Sequence, residues 1–351
     1  MLADTLASLT PVDANLAIVV QARLDSLTKP PGSLGRLESL VLELAGMSGE
    51  ALPTVTPPGV IVFAADHGVA EEGVSAFPQE VTAQMVANFV AGGAAINVFA
   101  RQIGARLEVV DVGVKGDVEG AGVVHDKVRR GTANFAREDA MSLVEAERAL
   151  EVGIRAAERS HAAGCRCLIV GEMGIANTTA SSTLLAALSG RPVSRLVGQG
   201  TGIAPVRLAH KTEVIVGALA ARCANPSQPL ELLAKLGGLE IAAMAGAYLG
   251  AAARRMPILV DGFIATVAAL LACRLAPALR GYLVFAHRSR EPGHDVALEL
   301  LEARPLLDLE LRLGEGTGAA LAFPLLEAAC RMLADMATFD SAGVAGGGTE
   351  T

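Results

Sequence analysis

Leu311-Arg312-Leu313-Gly314-Glu315-Gly316-Thr317-Gly318 places one carboxylate between glycines, directly ahead of an alanine-rich apolar stretch. Glycine lets a backbone turn sharply and lets a ligand approach the main chain, and the first turn of a following helix offers unpaired N–H groups. A carboxyl group buried in such a loop has a raised pKa and suits proton abstraction near neutral pH. A near copy lies upstream, Val197-Gly198-Gln199-Gly200-Thr201-Gly202-Ile203-Ala204, with Gln in the place of Glu. One loop carries an acid or base and its twin does not. A second carboxylate in a similar setting is Glu172, within Gly171-Glu172-Met173-Gly174-Ile175-Ala176-Asn177-Thr178-Thr179. For Glu315 the flanking glycines favour a functional role. For Glu172, a carboxylate bonded only to N–H groups of its own loop competes on equal terms.

Two strings could seat an anion. Gly174, Asn177, Thr178 and Thr179 precede an apolar helical stretch, which suits a plain N-cap and equally suits a phosphate met by N–H groups and hydroxyls. The 198–202 loop, followed by Pro205 at a helix start, reads the same two ways, and Lys211 behind it is either a cation for phosphate or a solvated surface charge. Neither string fits the Walker or GxGxxG pattern, so an ordinary triphosphate or dinucleotide site is not supported. His67 and His287, even with Asp66 nearby, belong to no HExxH or Cys/His cluster, so hydrogen-bonding roles are expected for both, with no metal and no cofactor. The lack of a GxSxG elbow counts against an α/β-hydrolase.

Such groups need a scaffold to bring them together. Short β-branched or apolar runs at 60–65, 107–112, 168–170, 257–260 and 282–285 read as strands, the first apolar throughout as expected for a strand covered on both faces. Helical stretches lie at 79–90, 138–161, 178–188, 205–223, 239–254 and 262–275, the second with an apolar stripe at Leu143, Leu150, Ile154 and Ala157. The alternation predicts an α/β fold with a Rossmann-like, doubly wound parallel sheet. Ligands of such sheets bind outside the carboxyl ends of the strands. Asp66-His67-Gly68, the Glu172 string, Asp261-Gly262 and His287-Arg288-Ser289 each follow a strand directly.

Helices at 13–27 and 33–47 flank a rigid corner, Lys29-Pro30-Pro31-Gly32-Ser33-Leu34-Gly35, and a long helical run follows Thr317. A small helical domain formed from both termini is expected: N-terminal helices in 1–55, a large α/β domain in 56–310, and the Glu315 loop with a returning helix in 311–340. Residues 341–351, with Gly346-Gly347-Gly348, read as a disordered tail.

With 52% hydrophobic residues but 3% aromatics, the core must be built from Ala, Val, Leu and Ile. A net charge of −8 without a Lys/Arg cluster excludes nucleic acid as a partner. No membrane is expected either, despite a mean hydropathy of +0.44, because Arg274, Gly and Pro break the apolar runs. No signal peptide is visible, and Cys165, Cys167, Cys223, Cys273 and Cys330 read as buried thiols of a reducing, cytoplasmic protein.

Taken together, the 29–38 string Lys-Pro-Pro-Gly-Ser-Leu-Gly-Arg-Leu-Glu, Ala65-Asp66-His67-Gly68-Val69, Pro78-Gln79-Glu80-Val81-Thr82, the 171–179 string, Asp261-Gly262-Phe263 and the 311–322 string form a specific set. In order and spacing it resembles the nicotinate-nucleotide–dimethylbenzimidazole phosphoribosyltransferases, from about residue 11 to about residue 337. The resemblance implies inverting transfer of 5-phosphoribose from nicotinate mononucleotide to 5,6-dimethylbenzimidazole in a cytoplasmic homodimer, for assembly of the lower nucleotide loop of cobalamin. It implies that Glu315 is the catalytic base. It also implies that Gly174, Asn177, Thr178, Gly200, Gly202 and Lys211 hold phosphate, with Glu172 toward ribose or nicotinate and Asp261, Ile175, Gly314 and Gly316 in the site. Phe77, Met85, Met173 and Leu313 are the candidate slot for the flat base. Some members carry Ser and Gln where Phe77 and Met85 stand, and this keeps a different acceptor base open. A nucleotide-binding module without turnover is the reading of another class.

Overall fold

The computed structural model describes residues 1–345 except 119, 121, 199, 201, 203 and 204, with the backbone alone for 205 and 206. Its centre is a six-stranded sheet. The apolar run expected at 60–65 lies in Pro58–Ala65 (β1), buried along its whole length, as a strand covered on both faces must be. On one side β1 pairs with Arg106–Gly113 (β2), which pairs in turn with Val123–His125 (β3). On the other side come Cys167–Met173 (β4), Ile258–Val260 (β5) and Leu283–Phe285 (β6). All pairings are parallel and the order is β3-β2-β1-β4-β5-β6, so the winding reverses between β1 and β4. A crevice outside the carboxyl ends of the strands follows from that reversal. The expected strands are all present; β3, only three residues long, is an addition to them.

Two helices on the sheet form the most closely packed pair of elements. Leu143–Ala162 begins later than the expected 138, because Ser142 accepts from the Glu145 N–H at 3.2 Å while Glu145 accepts from the Ser142 N–H at 2.8 Å. That cap leaves Leu143 exposed, so the predicted stripe is corrected: Leu150, Ile154 and Ala157 are buried, joined by Ala146 and Ala149. Its partner, Leu239–Ala253, is buried nearly all round. A Cβ on Gly153 would stand 1.8 Å from the Ala243 carbonyl oxygen, and one on Gly246 would stand 1.9 Å from that of Leu150. The two backbones therefore touch directly. The shorter helices Leu2–Ser8, Ala95–Gln102, Pro229–Leu236 and Gly293–Leu300 carry too few residues for a periodic pattern to announce them.

The two chain ends pack against each other. Leu16–Ser26 and Arg36–Ser48 pack together, and Arg36–Ser48 packs on Thr317–Asp335. Arg23 donates to the Leu333 carbonyl at 2.7 Å, and Leu27 bridges Thr338. Between the first two helices, Lys29 Nζ lies 2.9 Å from Glu38, and both side chains are buried. Glu38 also accepts from the Gly32 and Leu34 N–H groups, which fixes the proline corner. The short helix Phe339–Ala342 takes in the first residues of the expected tail. Residues 346–351, with Gly346, Gly347 and Gly348, lie outside the described residues.

Two apolar segments do reach the length and composition of a membrane span, contrary to the sequence expectation. In the fold, Gly92 and Gly93 break one into Val81–Ala91 and Ala95–Gln102. The other, Thr317–Asp335, lies 61% buried among protein helices, and a core helix meets the same criterion. Of the cysteines, Cys165, Cys167 and Cys330 are buried, Cys273 is partly so, and Cys223 is exposed at the end of its helix.

Candidate functional site

Glu315 sits in a backbone that few residues adopt. Gly314, Glu315 and Gly316 have φ values of 89°, 65° and 89°, three left-handed residues in succession. For the glycines this is free; for a glutamate it is a strained state, of the kind that persists where neighbours over-determine it. The neighbours are the tips of three adjacent strands. At β4, Gly171 has no side chain to fend the loop off, and a Cβ there would stand 2.0 Å from the Glu315 carbonyl oxygen. At β5, Asp261 accepts from the Gly316 N–H at 3.2 Å and from the Ala319 N–H at 2.9 Å, which caps Thr317–Asp335. At β6, His287 lies 3.5 Å from Asp261 and against the same helix, where a Cβ on Gly318 would stand 2.0 Å from its ring.

A cavity of about 450 Å³ opens at these strand ends. Phe77, Met85, Glu172, Met173, Gly174, Ile175, Asn177, Thr178, Gly200, Asp261, Leu313, Gly314 and Glu315 line it, so most of the residues singled out in the sequence come together. Glu315 is mostly buried, and among the described residues its carboxylate accepts only the Ile96 N–H, at 3.3 Å. Burial pushes its pKa up against that hydrogen bond, and the nearby Asp261 pushes the same way. Glu172, on β4, is buried as well. Burial, then the charge of Glu240, push its carboxyl up to about 8, although the Asn177 side-chain amide and the Glu315 N–H both donate to it. The two carboxylates are thus joined through the Glu315 backbone.

The far corner is cationic. Lys211 is 1% exposed, so it is not a solvated surface charge. Its helix, Pro205–Arg222, packs on Asn177–Ser189, and Nζ donates to Thr178 Oγ1 at 2.9 Å. Burial brings its pKa down to about 8, with Glu291 opposing. Arg312 donates to the Gly200 carbonyl at 3.1 Å, which ties the two glycine-rich loops together. Lys211 stands behind Thr178 rather than on the cavity wall, and Gly316 stands behind Glu315. Gly202 is exposed and away from the lining, while Gln199, Thr201, Ile203 and Ala204 lie outside the described residues.

Two lining charges escape a reading of the sequence, Glu291 and Arg312. Glu291 stands two residues beyond the cluster that follows β6, and Arg312 stands inside the Glu315 string itself; extending the strand-end rule by one turn would catch the first. Glu291 is buried, with Oε2 unpartnered among the described residues. Histidines take the supporting parts expected of them. His67 lies 2.6 Å from Glu240, fully buried behind Gly174, and His287 bears on Asp261. Among the described residues no three His, Cys, Asp or Glu side chains could jointly hold a metal ion.

Residues 9–344 match a family model described as phosphoribosyltransferase, DBI_PRT. The chain is similar to nicotinate-nucleotide–dimethylbenzimidazole phosphoribosyltransferases of Chloroflexus aggregans, 53% identical over 98% of both chains, and of Geobacter sulfurreducens, 52% identical over 99% of both. A crystal structure of the enzyme so named from Thermus thermophilus superposes with a TM-score of 0.90 at 50% identity, covering 95% of this chain and 100% of that one.

Proposed function

The chain belongs to this family of phosphoribosyltransferases, and from that premise we propose that it moves 5-phosphoribose from nicotinate mononucleotide to 5,6-dimethylbenzimidazole, releasing nicotinate and α-ribazole 5′-phosphate. The observation that carries this reading is Glu315, a buried carboxylate of raised pKa held in a left-handed backbone, with apolar Phe77, Met85 and Leu313 on the same cavity and Thr178, backed by Lys211, on its wall.

One ring nitrogen of the acceptor attacks the anomeric carbon from the face opposite nicotinate, so β becomes α. As the new C–N bond forms, the old glycosidic pair returns to the pyridine nitrogen, and nicotinate leaves with a neutral ring. The acceptor, now cationic, gives the proton on its other nitrogen to the Glu315 carboxylate. Preorganised placement of that carboxylate favours the charge that develops only during the reaction. Thr178, the Gly200 backbone, Lys211 and Arg312 hold the 5′-phosphate. Glu172, its carboxyl pushed up to about 8, is mostly neutral around pH 7 and faces ribose and nicotinate.

The reading extends to a cytoplasmic homodimer in which the corner at 29–35 of one copy closes the cavity mouth of the other. Residues 1–55 and 311–340 form the small domain, and 56–310 the large one. Phe77, 52% exposed at the mouth, favours a second possibility for the acceptor, a larger or different base. Assay with nicotinate mononucleotide and a panel of benzimidazoles and purines, read by product mass, tests both. Nicotinate release with dimethylbenzimidazole as best acceptor is expected; preference for adenine sinks that acceptor, and stoichiometric binding with no nicotinate released sinks turnover altogether.

A further inference from the structure

We propose that Asp261 is the positioning residue for Glu315, acting through the first turn of Thr317–Asp335 rather than by touching substrate; the proposal rests on the reading of Glu315 as the base. Both Asp261 oxygens are spent on backbone N–H groups of that turn, Oδ2 on Gly316 and Oδ1 on Ala319. The first of these is the residue immediately after Glu315. An aspartate at a helix N-terminus is the favourable group for those orphan donors. Here it also comes from another element, 55 residues away in sequence from Gly316, so it fixes the helix start against the sheet. His287 holds the same turn from the next strand, 3.5 Å from Asp261 and in contact with Gly318.

The arrangement explains how a glutamate is kept in a left-handed backbone. Gly171 takes the Glu315 carbonyl side, Asp261 takes the Gly316 N–H, and only the carboxylate is left to move. A shift of about 1 Å in such a base costs about a hundredfold in rate. Asn at 261 keeps the shape but turns an NH₂ toward one of two N–H donors, so one bond is lost and the turn must shift. Asp261 has an electrostatic effect as well. The charged group that bears on the Glu315 carboxyl is Asp261, directly after β5; Glu172 of β4 and Arg312 of the Glu315 loop line the same cavity, and His287 stands behind Asp261. Removing the Asp261 charge lowers the Glu315 pKa.

The test is a double-mutant cycle of Asp261→Asn with Glu315→Gln, with kcat, KM for nicotinate mononucleotide and the pH profile measured for each form. In the wild-type background Asp261→Asn is expected to lower kcat about a hundredfold. It leaves KM for nicotinate mononucleotide within about twofold and moves the acid limb of the kcat profile to lower pH. In the Glu315→Gln background it is expected to have little further effect. The same fold loss in both backgrounds, or a loss carried by KM, overturns the proposal and returns Asp261 to substrate binding. Full activity of Glu315→Gln overturns the base reading instead, which keeps the two failures apart. If Asp261→Asn does not fold, His287→Ala, which removes the support behind it, must show the same kcat-only loss to a smaller degree.

Discussion

At one end of the cavity Thr178 is backed by Lys211, which is 1% exposed and bonded to it, whereas at the other Phe77 and Leu313 are 52% and 59% exposed. The contrast follows from what each end is to hold. A phosphate is strongly hydrated, and only donors already fixed and stripped of water compensate for what it gives up. A flat apolar base offers area instead, and area can be covered late, as the mouth closes. Glu315 shares the cavity with the exposed residues yet is built like the closed end, with its backbone locked and its carboxylate held, among the described residues, by the Ile96 N–H alone.

The largest effect that could break this division is at Glu315. Glu315→Gln is expected to lower kcat by about a thousandfold with KM for nicotinate mononucleotide little changed; steady-state kinetics with both substrates varied checks it, and a loss confined to KM would place Glu315 among the binding groups. Next comes Lys211→Met, which keeps the volume and removes the charge. Affinity for nicotinate mononucleotide, measured by calorimetry, should fall about tenfold to a hundredfold. An effect on the acceptor's KM alone would mean that the two ends have been assigned the wrong way round.

A smaller change is expected from Phe77→Ser, a shift of about tenfold in relative kcat/KM between dimethylbenzimidazole and smaller acceptors, with the donor's KM unaffected. Least of all is a stability effect between the two ends, at Glu172. Its folded pKa of about 8 exceeds the ordinary carboxyl value of 4.5, so between those limits the folded state holds a proton that the unfolded chain has lost. Stability from this group is complete below pH 4.5 and is lost as pH rises toward 8. Glu172→Gln should therefore flatten the fall in Tm across that range, measured by calorimetry at constant ionic strength.

Much of this organisation is legible in the chain because strands and strand ends leave local marks. The apolar run of β1 and the polar residues directly after β1, β4, β5 and β6 follow from neighbours in sequence. What cannot be read depends on contact between distant segments. In sequence Lys211 looks free to face water because the helix that buries it, Asn177–Ser189, lies elsewhere in the chain. Asp261 lines the cavity as a site residue would, but nothing near it in sequence shows that its oxygens also accept from the Gly316 and Ala319 N–H groups. Glu291 passes for one more polar residue beyond a strand. Asp66 and His67 fall at the right edge, yet His67 turns inward to Glu240 and neither lines the cavity.

Gly171 gives this a consequence for mutational tolerance. By sequence it is a weak point of β4, a position where alanine or valine ought to improve the strand. In space it faces the Glu315 main chain, and any side chain would have to occupy the place of that carbonyl. A saturation library at 171 should contain variants that fold and keep their sheet while losing turnover, so that stability screening alone would enrich inactive proteins. The residue with no side chain sets how near the carboxylate can come to the sheet, and selection for a better strand would erase that setting.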